Sequence, residues 1–428
     1  MRFDFMHPRD QLVDVMNRIY NGGMTTLSGG NLSIKEDDNS LWITPAAVDK
    51  GKLGPQDIMH VYADGRSEGL HRPSSEYPFH RTIYGHRPDL KAIVHAHPPA
   101  LVSFSIAREI PDTNIIPQAQ RVCGPVGYAP YALTGSQQLG DNIAATFAEG
   151  FNVVLLENHG IVSGGESLLE AFQRLETLDF CARTLMQAKG LGQVQTLSEA
   201  QLAPFDMRNH QLEEFALANH NSREREVRKQ LLDIIHRAYD RQLMISTEGV
   251  ASARISENSF LITPTGFDRR NLEVQDLVLI KNGRRERGKL PSRSVRLHQK
   301  IYEQHPDIHC VILAQSPSAM AFAISSGHFD TRTIPESYIL LRGIPRIEHG
   351  AQYHAPEAIA SKVSMQVPVL MIENDSILVV GNNILQAFDR LEVAEYSARS
   401  LIDTVAIGPM VPIGAEDIVA LEDAFNLT

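Results

Sequence analysis

At 428 residues, 43% hydrophobic and 21% charged, the chain has the composition of a soluble globular protein with more than one core, and no run of about 20 apolar residues could span a bilayer. A formal charge of −11 excludes general nucleic-acid binding, which needs a basic surface, yet leaves room for a small basic pocket. Three cysteines, Cys123, Cys181 and Cys310, are too few and too scattered for a disulfide framework or a CxxC zinc knuckle, and suit a reducing cytoplasm.

Residues 6–23, MHPRDQLVDVMNRIYNGG, space Leu12, Val15, Met16 and Ile19 along one helical face and close on Gly22-Gly23, a helix stop. With acids among its apolar residues, this N-terminal stretch does not read as a signal peptide. LSIKEDDNSLWITP reads as two strands around a polar turn. Pro73-Ser74-Ser75-Glu76 starts a helix that carries His80, Ile83 and Tyr84. KAIVHAHP is a strand, and NVVLLEN is a second apolar strand that stops at His159-Gly160. From 167 to 189 a long helix aligns Leu168, Phe172, Leu175, Ala182 and Leu185. Such a mixture predicts a sheet covered by helices, with the strand order left open.

The chain repeats itself. Residues 73–106 align without a gap to 291–324 with 11 of 34 positions identical, and 155–186 align to 371–402 with 13 of 32. LWITPAAVDKGKL (41–53) matches FLITPTGFDRRNL (260–272), and the three matches keep their order at offsets of 218, 216 and 219. This is a tandem duplication. We divide the chain into a first domain, 1–205, a polar linker, 206–222, and a second domain, 223–428. The linker could equally form a short helix, since Leu212, Phe215 and Ala216 are helically spaced.

His95 and His97 lie one residue apart on a predicted strand, so both imidazoles point to one face, as two ligands of one metal would. Chance alone yields an expected HxH count of about 0.7 in a chain this rich in histidine, so the pair by itself decides nothing. His159 sits where an apolar strand ends, a common position for a functional side chain. Three histidines and one open position would make a catalytic zinc site. Glu76 has two readings: a first-turn acid behind an N-cap at Ser74 or Ser75, or a carboxylate that moves protons beside the metal. The turn Ser28-Gly29-Gly30-Asn31 can present backbone amides to an anion, and is also a good hairpin turn.

Taken together, SGGNLS, ITP, PSSE with a downstream histidine, IVHAHP and LLENHG resemble the class II aldolase/adducin family. The resemblance covers nearly all of the first copy and, more loosely, the second. It implies two tandem α/β/α domains, each a mixed, mostly antiparallel sheet covered by helices. By the same resemblance His95, His97 and His159 hold a divalent metal, usually zinc, and Glu76 is the proton-transfer residue. Substrate phosphate is implied to bind Asn31, Ser74 and Ser75, with Ser28, Gly30 and Thr44 lining the same pocket. Two departures stand out: the SGN-like loop carries an extra glycine, and TPTG is replaced by Thr44-Pro45-Ala46-Ala47. A Cβ at Ala47 narrows the pocket by roughly a methyl's width.

The second copy is an internal control. Ser294 stands opposite Glu76, Leu313 and Gln315 opposite His95 and His97, and Asp375 opposite His159, while flanking packing residues match. Loss of the four as a set is what a shared metal predicts, and the second copy cannot build this site. It keeps Thr263-Pro264-Thr265-Gly266 and Pro291-Ser292, pieces of an anion pocket. The expected activity is reversible, metal-dependent aldol cleavage of a ketose or ketose phosphate. A Schiff-base route is discounted because no lysine lies in the central motifs. A metal-dependent epimerase or dehydratase, and a non-enzymatic adducin-like interaction module, are the rivals; Glu76 in place of the epimerases' Asp tilts against the first. Family members form four-fold rings, so a dimer of this chain would close a ring of four modules. Tyr128 and Tyr131, in a Gly/Pro-rich segment, are candidates for completing a neighbouring site.

Overall fold

The computed structural model describes residues 2–206, 212–217 and 219–427. The chain forms two compact units. One comprises the chain up to Thr113 together with Gln118–Arg183; the other comprises Asn114–Pro117 and the chain from Thr184 onward. The linker drawn from sequence at 206–222 stays a proposal, and its residues 207–211 and 218 lie outside the described residues. Glu214–Phe215 forms a short strand, not the helix that the spacing of Leu212, Phe215 and Ala216 allowed.

In the first unit the helix α1 (Pro8–Asn21) starts on Pro8, whose missing N–H costs nothing there. The His7 ring accepts from the Arg9 amide at 3.2 Å. Leu12, Val15, Met16 and Ile19 are all buried, and Gly23 takes the left-handed turn (φ 69°) that ends the helix. The polar turn expected after residue 35 joins β1 (Asn31–Lys35) to β2 (Leu41–Ile43), with Asn39 in the left-handed conformation such turns require. Then come β3 (Met59–Val61), β4 (Ser67–Glu68), α2 (Tyr77–His86) and β5 (Ala92–Ala96), which carries His95 and ends just before His97. Short helices α3 (Pro99–Ala107) and α4 (Pro117–Cys123) follow, then β6 (Val126–Ala129) and α5 (Gln137–Ala148). A tight turn with Asn158 at φ 52° links β7 (Val153–Leu156) to β8 (Gly160–Gly165), and α6 (Leu168–Ala188) closes the copy.

The sheet order is β4-β3-β2-β1-β5-β8-β7-β6, and every pair is antiparallel except β6–β7. One core cluster sets Phe79, Ile83 and Tyr84 of α2 and Leu139, Ile143 and Phe147 of α5 against Ile93, Val154 and Val162 of the sheet. Burying one such large side chain is worth about 1.5–3 kcal/mol. These contacts set the tilt of α2, and therefore where its first residues point.

The second unit repeats the arrangement. Its strands are β9 (Glu214–Phe215), β10 (Val250–Ser256), β11 (Ser259–Ile262), β12 (Val278–Lys281), β13 (Arg284–Glu286), β14 (Cys310–Ala314), β15 (Arg346–Ile347), β16 (Val369–Ile372) and β17 (Ser376–Gly381). Their order, β15-β16-β17-β14-β10-β11-β12-β13-β9, is that of the first sheet with one extra edge strand. The register agrees as well: Asn31 faces His95 in one sheet, and Val250 faces Leu313 in the other. Two tandem copies of a mixed, mostly antiparallel sheet with covering helices are thus the architecture. None of the described helices is long and apolar enough to cross a membrane.

Candidate metal centre

His95, the penultimate residue of β5, is fully buried. Its Nδ1–H donates to the Ile161 carbonyl of the neighbouring β8 at 2.9 Å, so the Nε2 lone pair turns toward His97 and His159. The His97 backbone amide donates to the Met24 carbonyl at 3.0 Å, which holds the residue beyond the strand end. His159 comes from the β7–β8 turn. Ring centroids are 4.7 Å apart for His95–His97, 4.9 Å for His95–His159 and 5.1 Å for His97–His159. One nitrogen from each ring can be chosen so that all lie within 4.8 Å of one another, the only such group of potential metal ligands among the described residues.

The extra glycine has a steric reason. A Cβ on Gly29 would stand 2.9 Å from His97 Nδ1, and one on Gly30 (φ 71°) would stand 2.7 Å from the His95 carbonyl oxygen. The Gly-Gly pair lets the turn lie against both histidines.

Electrostatically the centre is built for neutral imidazoles. Burial, reinforced by the neighbouring ring of His159, pushes His95 down to about 3. Burial and the other two rings do the same to His97, and burial lowers His159 against the opposing pull of Glu76. The neutral form is the one that binds a metal. His97 Nε2 and His95 Nε2 approach to 3.1 Å. Without an ion one of them has to carry a proton; with one, both can offer lone pairs.

Glu76 does not behave as the first-turn acid of a capped helix. It occupies the position before α2, caps no amide with its carboxylate, and is buried. Its Oε2 lies 3.3 Å from His95 Nε2 and accepts from Asn31 Nδ2 at 2.6 Å. Its Oε1 lies 3.8 Å from His159 Nε2 and has no hydrogen-bond partner. A buried carboxylate oxygen without a donor is costly unless something cationic completes it. Three neutral imidazoles beside such an oxygen fit a divalent ion.

Behind Glu76 runs a relay that sequence reasoning missed. His80 Nε2–H donates to Asn31 Oδ1 at 2.5 Å, the Ser33 hydroxyl donates to His80 Nδ1 at 2.7 Å, and Tyr84 OH lies 2.8 Å from Ser33 Oγ. Burial keeps His80 far below its ordinary value, hence neutral, so Ser33, His80 and Asn31 each donate toward the Glu76 carboxylate. The signal was present: the internal alignment retains His298 and Tyr302 at the places of His80 and Tyr84. Ser252 bonds both of them at 2.7 Å in the second unit.

Of the remaining sequence candidates, Ser74 is buried and its hydroxyl accepts from the Glu76 amide at 3.3 Å. Ser28 and Ser75 are exposed. Thr44 is fully buried, and its hydroxyl accepts from the Leu32 amide at 3.1 Å, bracing β1 against the turn after β2. Tyr128 lies on β6, and Tyr131 is exposed just beyond it. Ala47 holds the left-handed conformation (φ 56°) that Gly266 holds at the matching position (φ 75°). In the second unit the centre is replaced by polar contacts within the chain. Gln315 donates to the Asp375 carbonyl at 3.1 Å, and Tyr353 OH donates to the Asp375 carboxylate at 3.1 Å.

The family described as class II aldolase and adducin N-terminal domain matches residues 10–186 and again 229–402. Among curated relatives, the 5-deoxy-D-ribulose 1-phosphate aldolase of Bacillus thuringiensis is 33% identical over 201 residues, 45% of this chain and 91% of that protein. The 3-oxo-tetronate 4-phosphate decarboxylase of Escherichia coli is 32% identical over 181 residues, 41% of this chain and 85% of that protein. A solved L-fuculose 1-phosphate aldolase is similar at 32% identity and a TM-score of 0.42, covering 46% of this chain and 92% of its own. Each relative is thus matched over most of its length by less than half of this chain. With both halves matched and both sheets wound alike, the chain belongs to the class II aldolase and adducin N-terminal domain family as a tandem duplicate.

Proposed function

We propose that the first module is a divalent-metal-dependent aldehyde-lyase that reversibly cleaves a ketose phosphate. The observation that carries this reading is the meeting of three neutral imidazoles and the Glu76 carboxylate in one copy, with all four replaced in the other. His95, His97 and His159 would hold the ion, and zinc suits an all-imidazole set. When bound, it would supply Lewis acidity for the negative charge that develops on substrate oxygen. In the cleavage direction the hydroxyl beyond the scissile bond loses its proton, the C–C bond breaks, and its electron pair passes into the carbonyl as an enediolate. Glu76 moves the proton between substrate oxygen and carbon. Asn31, fixed by His80, holds the Glu76 carboxylate by one oxygen and leaves the other directed at the centre. Ser28, Gly30, Asn31, Thr44, Ser74 and Ser75 form the substrate side of the same proposal.

The names of several relatives favour a second reading. Decarboxylation of a 3-oxo acid phosphate also breaks a C–C bond beside a carbonyl and leaves an enediolate, with carbon dioxide in place of the aldehyde. A panel of ketose phosphates and 3-oxo acid phosphates, with products identified by NMR, separates the two. In either case Glu76→Gln is expected to keep its metal and lose about 100-fold or more in turnover. Full turnover in that variant would remove Glu76 from the chemistry.

For the whole chain we propose a first domain at 1–205, a linker at 206–222, a second domain at 223–428, and a homodimer that closes a ring of four modules.

A further inference from the structure

Lys50 is among the largest fully enclosed side chains of the protein, 2% exposed. Its ammonium donates to the Pro45 carbonyl, and its backbone amide donates to the Leu27 carbonyl at 2.9 Å. It therefore ties together two loops, the one leading into Ser28–Asn31 and the one running from Thr44 to Ala47. No ion pair among the described residues includes it, and burial alone pulls it down to about 8. The adjacent Asp49 is engaged in capping, accepting from the Gly51 amide at 2.9 Å. An enclosed ammonium with one carbonyl partner and no counter-charge is costly to keep.

The second copy shows how the same position looks when it is self-sufficient. Arg269 stands where Lys50 stands and is equally enclosed, at 2% exposed. Attraction to Glu248, which also pairs with Arg293 at 3.7 Å, and to Asp268 supports its charge against burial. By sheet register, Glu248 occupies the place of Gly29. The first copy has no room for that carboxylate, because even a Cβ at Gly29 would crowd His97 and Thr25 at 2.9 Å. At this position the imidazole centre and an in-chain counter-ion to the cation compete for the same space.

We propose that Lys50 supplies the charge that recognises the anionic end of the substrate, a phosphate ester seated on the two loops it joins, and that the substrate provides the counter-ion that Glu248 provides to Arg269. Lys50 acts from beneath the loops and takes no part in bond breaking. It is a positioning and specificity residue. The inference rests on the ketose-phosphate reading above, and its test separates the two.

Inorganic phosphate is titrated by calorimetry into the metal-loaded full chain, for wild type, Lys50→Arg and Lys50→Met. Wild type and Lys50→Arg are expected to bind alike, and Lys50→Met at least about tenfold more weakly. With a ketose phosphate that wild type cleaves, Lys50→Met should raise KM by a similar factor and leave kcat within about threefold, while a phosphate-free ketose shows no such change in KM. A merely structural lysine would lower kcat for both substrates alike, and that result overturns the inference. So does equal phosphate binding by Lys50→Met and wild type. If no ketose phosphate is cleaved yet phosphate binding still depends on the charge at position 50, the lyase reading fails and the role of Lys50 stands.

Discussion

Ala47 pays for its place. An L-residue in the left-handed region suffers a clash between Cβ and the following carbonyl, at a cost of roughly 1–2 kcal/mol. The second copy avoids this with Gly266 at the matching position. The first copy nevertheless keeps the same backbone turn, so the departure from TPTG alters the pocket mouth by one exposed methyl and does not refold the loop. Ala47→Gly is therefore expected to stabilise the first module by about 0.5–1 kcal/mol, since the relieved clash outweighs glycine's extra chain entropy. Thermal or urea unfolding checks this; a loss of stability would mean that the methyl packs against something.

At the scale of elements, the two helices that follow the PS motifs carry one device with two outcomes. On α2, His80 is satisfied on both sides because Asn31 and Ser33 point from the same strand. On the helix Val295–Gln304, His298 keeps the Ser252 bond, but Val250 replaces the asparagine, and Nε2 is buried without a partner. Burial alone pushes His298 from 6.5 to about 3. The folded state thus holds His298 neutral, while the unfolded chain takes up a proton below pH 6.5. More protons are bound by the unfolded state between pH 6.5 and about 3, so stability falls as pH drops through that window and is unaffected by this group above it. Each pH unit within the window costs up to about 1.4 kcal/mol. His298→Gln is expected to flatten this acid limb, read as the urea midpoint at pH 5 and pH 7.5. An unchanged difference between the two midpoints would contradict the assignment.

For the whole molecule, duplication with loss in one copy has a stoichiometric consequence. Only one group of potential ligands exists among the described residues, so metal analysis is expected to return about one divalent ion per chain. Chelation should abolish turnover, and restored metal should return it. The proposed ring makes the particle a dimer of about 95 kDa, twice the 47.5 kDa chain, in light scattering. Two ions per chain, or a 47.5 kDa particle in solution, would contradict the arrangement.

The sequence by itself determined the duplication and the contrast with Ser294, Leu313, Gln315 and Asp375, and it pointed to the three imidazoles and Glu76 that the fold brings together. Ligand chemistry belongs to residue type: leucine cannot replace histidine at a metal, and that shows in the letters. Linear spacing also sufficed for α1 and α6, whose apolar periods are long and regular, and a short apolar run sufficed for the strand carrying His95. Only the tertiary structure decided the strand order, the relay from Tyr84 to Glu76, the enclosure of Lys50 and the short strand at 214–215. Each of these depends on pairings between residues distant in sequence. Asn31 reaches Glu76 and His80 across 45 and 49 positions because β1 registers against β5 and α2 packs across both. Lysine in LWITPAAVDKGKL looks like an ordinary solvent-facing residue until two loops close over it. Strand register and the enclosure of a loop residue such as Lys50 are properties of the assembled sheet, and no local pattern encodes them.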